Sequence, residues 1–387
     1  MKNRRNRITP TMKPLGLLGG GQLARMMALK CHEMGVPVRV LSSSKDDPAA
    51  QVVSDWVQGD LADRTVLSRF LETCSIATFE SEFLDATLLA ELSQPQGRAK
   101  IYPQPSLMGL LQDRLSQKAL IAQAKLPTAE YFDVHDETTA RMALESFGGR
   151  AVFKKRRFGY DGYGTFVVSK PKDFDAFLKA LAKDLEFRES VGFIAERFVP
   201  FKRELAVMIV RSRDGQIARL PFVETFQENS RCLWVKGPLK ESVRMRTLAK
   251  TAEKFLAKID YVGAMGFELF ETSKGELLVN ELAPRVHNSG HYSLDALSID
   301  QFSLHVRAVL GLTLPVPKSL AKGFSMVNLL GRTAKAPSWK ESGDVRLHWY
   351  GKMENRPGRK MGHLNSIDTT PERALAKALS RRKDFDV

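Results

Sequence analysis

The 387-residue chain has few of the features that mark secreted, membrane or zinc-binding proteins. Its three cysteines, Cys31, Cys74 and Cys232, are far apart and lack a CxxC spacing, so we expect neither a disulfide framework nor a zinc site. No apolar run approaches the roughly 20 residues of a membrane span, and residues 1–14 lack the apolar segment of a secretory signal. We therefore expect a cytoplasmic protein that does not bind membranes and holds any metal through oxygen atoms.

Acidic residues are too few to balance the basic ones. The chain has 59 Lys and Arg against 44 Asp and Glu, a net charge of +15, which raises the possibility of nucleic-acid binding. The basic residues are dispersed, however, and no helix-turn-helix, zinc-finger or aromatic RNA-binding motif accompanies them. We predict a phosphorylated small molecule as the ligand; a nucleic-acid binder would instead show a steep salt dependence of binding to duplex DNA.

The length calls for two or three domains, and changes of pattern divide the chain. In the first part, strand-like runs such as Leu15–Leu18 and Ile76–Phe79 alternate with helical patterns, which predicts a parallel, Rossmann-like α/β sheet. A compact α+β unit with a glycine-rich loop follows, then a larger antiparallel sheet with helices. After the linker at Pro315 and Pro317 comes a small closing segment. The predicted parts are residues 12–110, 111–193, 194–315 and 316–387.

Two glutamates on one predicted hairpin give the most direct indication of chemistry. Two strand-like runs meet at Lys274 and Gly275, and a two-residue turn there would place Glu268 directly opposite Glu281. Facing like charges destabilise a sheet by roughly 0.2–1 kcal/mol unless a cation lies between them. Because Mg²⁺ prefers carboxylate and phosphate oxygens, the hairpin predicts a magnesium–nucleotide site. A solvated hairpin with two unrelated acids is the alternative.

The first glycine run formally matches a dinucleotide-binding fingerprint. Residues 19–24, GGGQLA, match G-x-G-x-x-A where a predicted strand is followed by a predicted helix. The fingerprint also requires an acid about 20 residues further on, at the end of the second strand. Residues 40–44 read VLSSS there and the next acid is Asp46, so NAD is disfavoured. The amides at the start of the helix are expected either to hold a phosphate of another ligand or to form a turn without a ligand.

A second glycine-rich loop spans residues 154–165 and reads KKRRFGYDGYGT. Its four consecutive cations and three glycines suit a polyphosphate that approaches the backbone closely, although it lacks the ending of a P-loop. Asp161 is unexpected in so basic a loop; it either orients an amine or bicarbonate, or caps the turn. A charged surface hairpin is the alternative for the whole loop.

Two further motifs are rich in groups that recognise anions. NELAPRVHNSGH, residues 280–291, brings an arginine, two histidines and two asparagines next to the predicted metal site. Residues 347–363 cluster cations around glycines, an arrangement that suits a monophosphate: Lys352, Arg356, Arg359 and Lys360. Ordinary loop histidines and a basic surface turn are the alternatives. No Ser/His/Asp arrangement for covalent catalysis stands out.

Five segments together resemble the N5-carboxyaminoimidazole ribonucleotide synthetase family of ATP-grasp enzymes over about residues 15–365: GLLGGGQLARM, QDRLSQK, KKRRFGYDGYG, NELAPRVHNSGH and HWYGKMENRPGRKMGHLN. The resemblance implies an ATP-grasp fold with an N-terminal Rossmann-like domain, a small lid subdomain and a larger antiparallel-sheet domain. It implies a homodimer that uses ATP, Mg²⁺ and bicarbonate to carboxylate 5-aminoimidazole ribonucleotide through carboxyphosphate. Another ATP-grasp carboxylate–amine ligase and a catalytically silent nucleotide-binding homologue remain alternatives.

The resemblance also implies a role for individual residues. ATP is expected to contact Arg114, Lys154, Gly159, Tyr160, Asp161, Gly162, Tyr163, Gly164, Thr165, Glu196, Arg197, Phe198, Val199, Glu204, Gln227, Asn280 and Glu281. Mg²⁺ is expected on Glu268 and Glu281. The ribonucleotide is expected to contact Gln22, Glu80, Tyr160, His287, Asn288, Lys352, Arg359 and Lys360, with Asp161, Arg285 and Lys352 as the catalytic residues. On a regular strand Asn280 would point away from Glu281, so either the strand is bulged there or Asn280 acts through its backbone.

The chain departs from the family pattern at three places. Tyr163 stands where arginine or lysine is usual, and Thr225 and Gln227 replace an Asn-x-His pair. Arg231, Cys232 and Leu233 follow where Gly-Ile-Leu is usual. These changes put in doubt the nucleotide contact that the family's histidine makes.

Overall fold

In the computed structural model, which describes residues 12–94, 98–159, 162–186, 191–333, 335–340 and 343–387, the chain begins with a five-stranded parallel sheet. The strand order β3-β2-β1-β4-β5 confirms the predicted Rossmann-like arrangement. Its elements are β1 (Leu15–Leu18), α1 (Gln22–Glu33), β2 (Val38–Ser42), β3 (Trp56–Gln58), α2 (Arg64–Thr73), β4 (Ile76–Phe79), α3 (Ala86–Leu92), β5 (Lys100–Ile101) and α4 (Pro105–Gln112).

A four-stranded antiparallel sheet in the order β6-β9-β7-β8 follows. Its elements are α5 (Arg114–Gln123), β6 (Tyr131–Val134), α6 (Glu137–Ser146), β7 (Ala151–Lys155), β8 (Thr165–Val168), α7 (Pro171–Leu185) and β9 (Phe193–Arg197). The ring of Phe177 stacks on Phe153 at 4.0 Å and meets Phe193 edge-on at 5.2 Å. This aromatic core holds β7 and β8, and with them the glycine-rich loop that joins the two strands.

The third unit is a nine-stranded antiparallel sheet that runs β15-β14-β10-β12-β13-β16-β19-β18, with β11 paired to β10. Strands from beyond residue 316 pair with it, so the C-terminal part of the chain extends this sheet. Residues 201–386 form the remaining helices and strands. They are β10 (Phe201–Arg211), β11 (Ile217–Arg219), β12 (Val223–Glu228), β13 (Arg231–Gly237), α8 (Val243–Lys258), β14 (Gly263–Thr272), β15 (Leu277–Ala283), α9 (Ser293–Ala296), α10 (Gln301–Leu310), β16 (Gly323–Leu330), β17 (Ser338–Trp339), β18 (Arg346–Trp349), β19 (Lys360–Asp368), α11 (Pro371–Arg381) and β20 (Phe385–Asp386). The short β17 and β20 pair separately.

Side chains fix where the helices begin. Asp113 accepts hydrogen bonds from the backbone N–H groups of Leu115 (2.9 Å) and Ser116 (3.5 Å), which makes it the N-cap of α5. Ser242 caps α8 in the same way through Met245. Within the described ranges, no helix has the length and apolar character that crossing a membrane requires.

Helix α10 connects the parallel sheet to the antiparallel one through a buried histidine. His305 accepts a hydrogen bond at Nδ1 from the backbone N–H of Ala264 on β14, at 3.0 Å. Its Nε2–H therefore donates to the hydroxyl of Thr78 on β4, at 2.8 Å. Both ring nitrogens are used, so the two sheets are joined by a neutral imidazole.

The buried His305 makes stability depend on pH. Burial lowers the pKa of His305 to about 4 from an ordinary value of 6.5. Between those values only the unfolded chain takes up the proton, so the free energy of unfolding falls with decreasing pH, by about 1.4 kcal/mol per pH unit for one group. We expect the melting temperature, followed by circular dichroism, to fall between about pH 7 and about pH 5, and to fall less in His305→Gln. His135→Asn, on the exposed surface, should keep the wild-type dependence. An unchanged dependence in His305→Gln would contradict the assignment.

Candidate active site

The predicted facing pair of acids is confirmed: Glu268 on β14 lies opposite Glu281 on β15. The predicted two-residue turn is wrong. Thr272 and Glu276 close the hairpin through a 2.9 Å backbone bond, so the loop has three residues and ends on Gly275, whose φ is +71°. That loop alone would shift the register by one residue and put Glu268 opposite Asn280.

A bulge at Asn280 restores the facing pair. Leu269 pairs with Val279 and Glu268 pairs with Glu281, which leaves Asn280 as the extra residue on β15. The side-chain oxygen of Asn280 accepts a hydrogen bond from Lys154 Nζ at 3.0 Å. Asn280 therefore contributes its side chain to the same side as its neighbour, which confirms the bulged-strand alternative.

Cations on α5 and β7 pair with one acid of the hairpin and with one acid of β9. Arg114 contacts Glu281 at 2.6 Å, and Lys154 contacts Glu196 at 3.0 Å. Burial raises the pKa of Glu268, and the charge of Glu281 raises it further. Burial opposes the ionisation of Glu281 too, but the adjacent Arg114 outweighs it and lowers the pKa of that carboxyl. One acid of the pair is thus held ionised while the other readily takes a proton.

Two facing carboxylates fit a magnesium ion that takes its other ligands from a nucleotide. In the described part of the chain, no group of three or more His, Cys, Asp or Glu side chains could hold a metal by itself. The donors at the hairpin are oxygens only, which suits a hard cation, and Mg²⁺ usually binds through one or two carboxylates plus phosphate oxygens and water. Glu268 and Glu281 would hold that ion.

Lys118 is a buried cation that the sequence analysis missed. Its side chain is only 3% exposed and its ammonium lies 3.4 Å from the carboxylate of Glu196. Its ammonium also donates to the hydroxyl of Thr128 at 2.8 Å, and burial lowers the pKa of Lys118 to about 8. The signal was present, because Lys118 lies four residues after Arg114 and therefore on the same face of α5.

Two acids that follow β4, Glu80 and Glu82, line the cavity on the side of the parallel sheet. Glu82, another residue that the sequence analysis missed, forms a two-bond ion pair with Arg285, one bond of which measures 2.8 Å. Glu80 accepts hydrogen bonds from the N–H groups of Gly21 and Ala24 at the start of α1. These two amides belong to the helix start where a ligand phosphate is predicted, and in the structure a carboxylate of the chain accepts their hydrogen bonds. The phosphate site there stays a prediction.

The loop after β15 brings an uncharged imidazole close to the acids. His287 Nε2 lies 3.6 Å from Glu268, and its Nδ1 is 2.9 Å from the hydroxyl of Ser289. Burial, together with the nearby charge of Arg285, lowers the pKa of His287 to about 3, so the ring is neutral near pH 7. Next to it, the amide of Asn288 pairs with Asn328 on β16 at 3.0 Å.

Most predicted site residues line one cavity of about 870 Å³. They are Gln22, Glu80, Arg114, Lys154, Gly159, Gly162, Thr165, Glu196, Arg197, Phe198, Val199, Glu204, Gln227, Glu268, Asn280, Glu281, Arg285, His287, Asn288 and Lys360. Four predicted residues do not line it: Tyr163, Gly164, Lys352 and Arg359. Lys352 instead donates to the backbone carbonyl of Lys360 at 2.7 Å, Arg359 donates to that of Glu354 at 2.9 Å, and Tyr163 is 63% exposed. Tyr160 and Asp161 lie outside the described residues.

The departures from the family pattern concern the same cavity. Gln227 lines it, and its backbone N–H hydrogen-bonds to Glu204, whose pKa burial raises to about 7. Thr225 is buried and pairs with Glu204 across β12 and β10. The backbone contact to Glu204 does not depend on which side chain stands at 227, so the substitution leaves this part of the wall in place.

Comparison with known proteins gives matches along nearly the whole chain. The ribonucleotide synthetase preATP-grasp domain family matches residues 12–112, the ATP-grasp domain family matches residues 119–302, and the phosphoribosylaminoimidazole carboxylase C-terminal domain family matches residues 325–377. The chain is 37% identical to N5-carboxyaminoimidazole ribonucleotide synthase of Synechococcus elongatus, over 90% of this chain and 88% of that protein.

Solved structures are similar over the same extent. N5-carboxyaminoimidazole synthetase from Staphylococcus aureus, complexed with ADP, superimposes with a TM-score of 0.87 at 28% identity and covers 98% of both chains. The Aspergillus clavatus N5-carboxyaminoimidazole synthase in complex with ADP and 5-aminoimidazole ribonucleotide gives a TM-score of 0.83 at 27% identity, over 97% of this chain and 100% of that one.

Proposed function

Because the chain belongs to the N5-carboxyaminoimidazole ribonucleotide synthetase family of ATP-grasp enzymes, we propose that the cavity beside the Glu268–Glu281 pair is where that family's reaction takes place. The chain is an ATP-dependent ligase of purine biosynthesis. ATP phosphorylates bicarbonate, with release of ADP, and the amine of 5-aminoimidazole ribonucleotide takes the carboxyl group from carboxyphosphate, with release of phosphate. The observation that carries the proposal is that the facing acids, the cations Arg114 and Lys154 and the neutral His287 line one cavity.

On the ATP side, Arg114 and Lys154 would bind the phosphates. Arg114 is paired with Glu281 at 2.6 Å, and Lys154 is paired with Glu196 at 3.0 Å. Mg²⁺ on Glu268 and Glu281 would compete with Arg114 for Glu281 and so free Arg114 to bind the nucleotide. Phosphoryl transfer needs positioning and charge neutralisation more than a nucleophile, and these are the groups the cavity supplies. The ion itself would neutralise charge on the transferring phosphoryl group.

The nucleoside part of ATP would lie against β9 and β10. Glu196, Arg197, Phe198 and Val199 form a continuous wall at the end of β9, which suits an adenine ring. Glu204 follows on β10 and would accept hydrogen bonds from the ribose. The glycine-rich loop would cover the phosphates. Gly159, Gly162 and Thr165 line the cavity already, and Tyr163 and Gly164 remain predicted contacts of ATP.

On the acceptor side, the ribonucleotide would lie between the parallel sheet and the loop after β15. Gln22, Glu80, His287, Asn288 and Lys360 would hold it, and Arg285, fixed by Glu82, would bind the reacting carboxyphosphate. Because carboxyphosphate hydrolyses in water, the lid must exclude solvent while the amine attacks. Asp161 at the amine, and Tyr160, Lys352 and Arg359 at the ribonucleotide, remain part of the proposal.

The division into residues 12–110, 111–193, 194–315 and 316–387 is also proposed, and the three family matches support it in outline. We further propose that the protein is cytoplasmic, from its cysteine pattern, and that it is a homodimer, as the resemblance implies. Sedimentation that yields the 43.3 kDa of one chain would contradict the dimer.

The activity is tested by ADP release from the purified chain with ATP and Mg²⁺. We expect release to require both bicarbonate and 5-aminoimidazole ribonucleotide, and labelled bicarbonate to enter an acid-labile carbamate. Release driven instead by formate or an amino acid would identify a different carboxylate–amine ligase. ATP binding in calorimetry without any substrate-dependent turnover would identify a silent homologue, which the departures at Tyr163 and Gln227 keep as the second candidate.

A further inference from the structure

We propose that Gln301 is a positioning residue for the acceptor side of the cavity, acting through His287 and His291. Gln301 is the first residue of α10 and its side chain is wholly buried. It does not line the cavity, so it acts on the substrate only through the loop that does. The inference rests on the proposed function, because it takes His287 as a contact of the ribonucleotide.

One amide group makes three hydrogen bonds to this loop. Its oxygen accepts from the backbone N–H of His287 at 2.9 Å. Its nitrogen donates to the backbone carbonyl of His287 at 2.8 Å and to Nδ1 of His291 at 2.8 Å. The loop lies directly on the amide, because a Cβ added to Gly290 would come within 2.7 Å of the Gln301 oxygen. Gln301 therefore holds both backbone groups of the residue whose ring faces Glu268.

These bonds also determine which nitrogen of His291 carries the proton. Since the Gln301 oxygen must face a donor, the amide cannot be turned around, and its NH₂ group faces His291 Nδ1. Nδ1 is therefore an acceptor and the proton of the neutral ring is on Nε2. Burial lowers the pKa of His291 well below its ordinary value, which keeps the ring neutral. Within the described residues, that Nε2–H has no hydrogen-bond partner.

Gln301 can fix the loop because its own helix is fixed. Asp300 caps α10 through the N–H groups of Phe302 and Ser303, at 2.9 Å each. One turn further along, His305 joins the same helix to β4 and to β14. The strand β14 carries Glu268, so the distance from His287 to the predicted metal site is set through α10.

The test compares Gln301→Leu with Ser303→Ala in the ADP-release assay. Ser303 is buried on the same helix and donates only to Asp300, at 2.8 Å, so it is a control for local loss of helix stability. We expect Gln301→Leu to raise KM for 5-aminoimidazole ribonucleotide about tenfold or more, because small displacements of positioning groups have large effects, while KM for ATP stays within about twofold. Ser303→Ala should leave both KM values within about twofold.

A double-mutant cycle separates positioning from general destabilisation. In a His287→Ala background, adding Gln301→Leu should have little further effect on KM for the ribonucleotide, since the group being positioned is gone. If Gln301→Leu is not recovered folded, Gln301→Glu carries the same test: it keeps the acceptor for His287 and loses both donated bonds when ionised.

The outcomes are distinct. Equal rises in KM for both substrates, no rise for the ribonucleotide, or additive effects in the cycle would overturn the role of Gln301 in an enzyme that is otherwise active. Wild-type protein that releases no ADP in response to the ribonucleotide would remove the proposed function, and this inference with it.

Discussion

Replacing Glu281 by glutamine is expected to reduce magnesium-dependent ADP release by about 10²-fold or more, since a divalent ion stabilises the transferring phosphoryl group by several kcal/mol. The substitution removes the charge of the acid that stays ionised beside Arg114. Glutamine keeps the size of the side chain and still accepts the hydrogen bond from Arg114, so the fold should persist. Turnover measured against Mg²⁺ concentration, together with circular dichroism, tests both parts.

Glu276→Gln is the matched control for this variant. Glu276 belongs to the same hairpin but is exposed next to the turn, where it bonds to Thr272. We expect it to leave both turnover and the magnesium requirement unchanged. If Glu281→Gln also kept a near-normal rate at the same Mg²⁺ concentration, the acid pair would not be the metal site.

Replacing Lys154 by methionine should have a comparable effect on turnover, about 10²-fold or more, because it removes a cation from the predicted phosphate site in a partly buried cavity. The variant should fold, since Glu196 would keep its second cationic partner, Lys118, at 3.4 Å. Steady-state kinetics with varied ATP, and calorimetry of Mg-ATP binding, measure the loss. Unchanged values of both would show that Lys154 serves only to neutralise Glu196.

Substitution of the neighbouring Lys155 is expected to reduce stability and to leave ATP binding nearly unchanged. Lys155 does not line the cavity and pairs with the buried Asp184 at 2.5 Å. Lys155→Met should therefore lower the melting temperature, because a buried acid loses this cationic contact, while KM for ATP changes little. Two adjacent residues on β7 would thus separate an effect on activity from an effect on stability.

The hairpin shows what the sequence could and could not predict. Alternation along β14 and β15, and the glycine at the turn, were enough to pair Glu268 with Glu281. The length of the turn and the bulge at Asn280 cannot be predicted in this way. Alternation along each strand does not show how many residues form the turn or whether one strand carries an extra residue. The two deviations cancel, so the correct pair was predicted from an incorrect turn.

Contacts between distant parts of the chain were the main omission. Glu80 at the amides of α1, Glu82 on Arg285 and Gln301 on His287 each join elements that a local pattern treats separately. Acids at the ends of parallel strands could be expected near the cavity, but which cation or amide each would meet depends on the packing of two sheets. Lys118 is different, since helical spacing from Arg114 would have identified it.

The residues predicted to contact the ligands are divided between two separate antiparallel sheets. Glu268, Glu281 and Lys360 all belong to the nine-stranded sheet, whereas Lys154 belongs to the separate four-stranded one. If the four-stranded sheet moved away from the nine-stranded sheet, the distance from Lys154 to the two glutamates would increase. The distances between Lys360 and the glutamates would not change. ADP could then dissociate while the imidazole product is still bound. The order of product release would therefore depend on which sheet contacts each product.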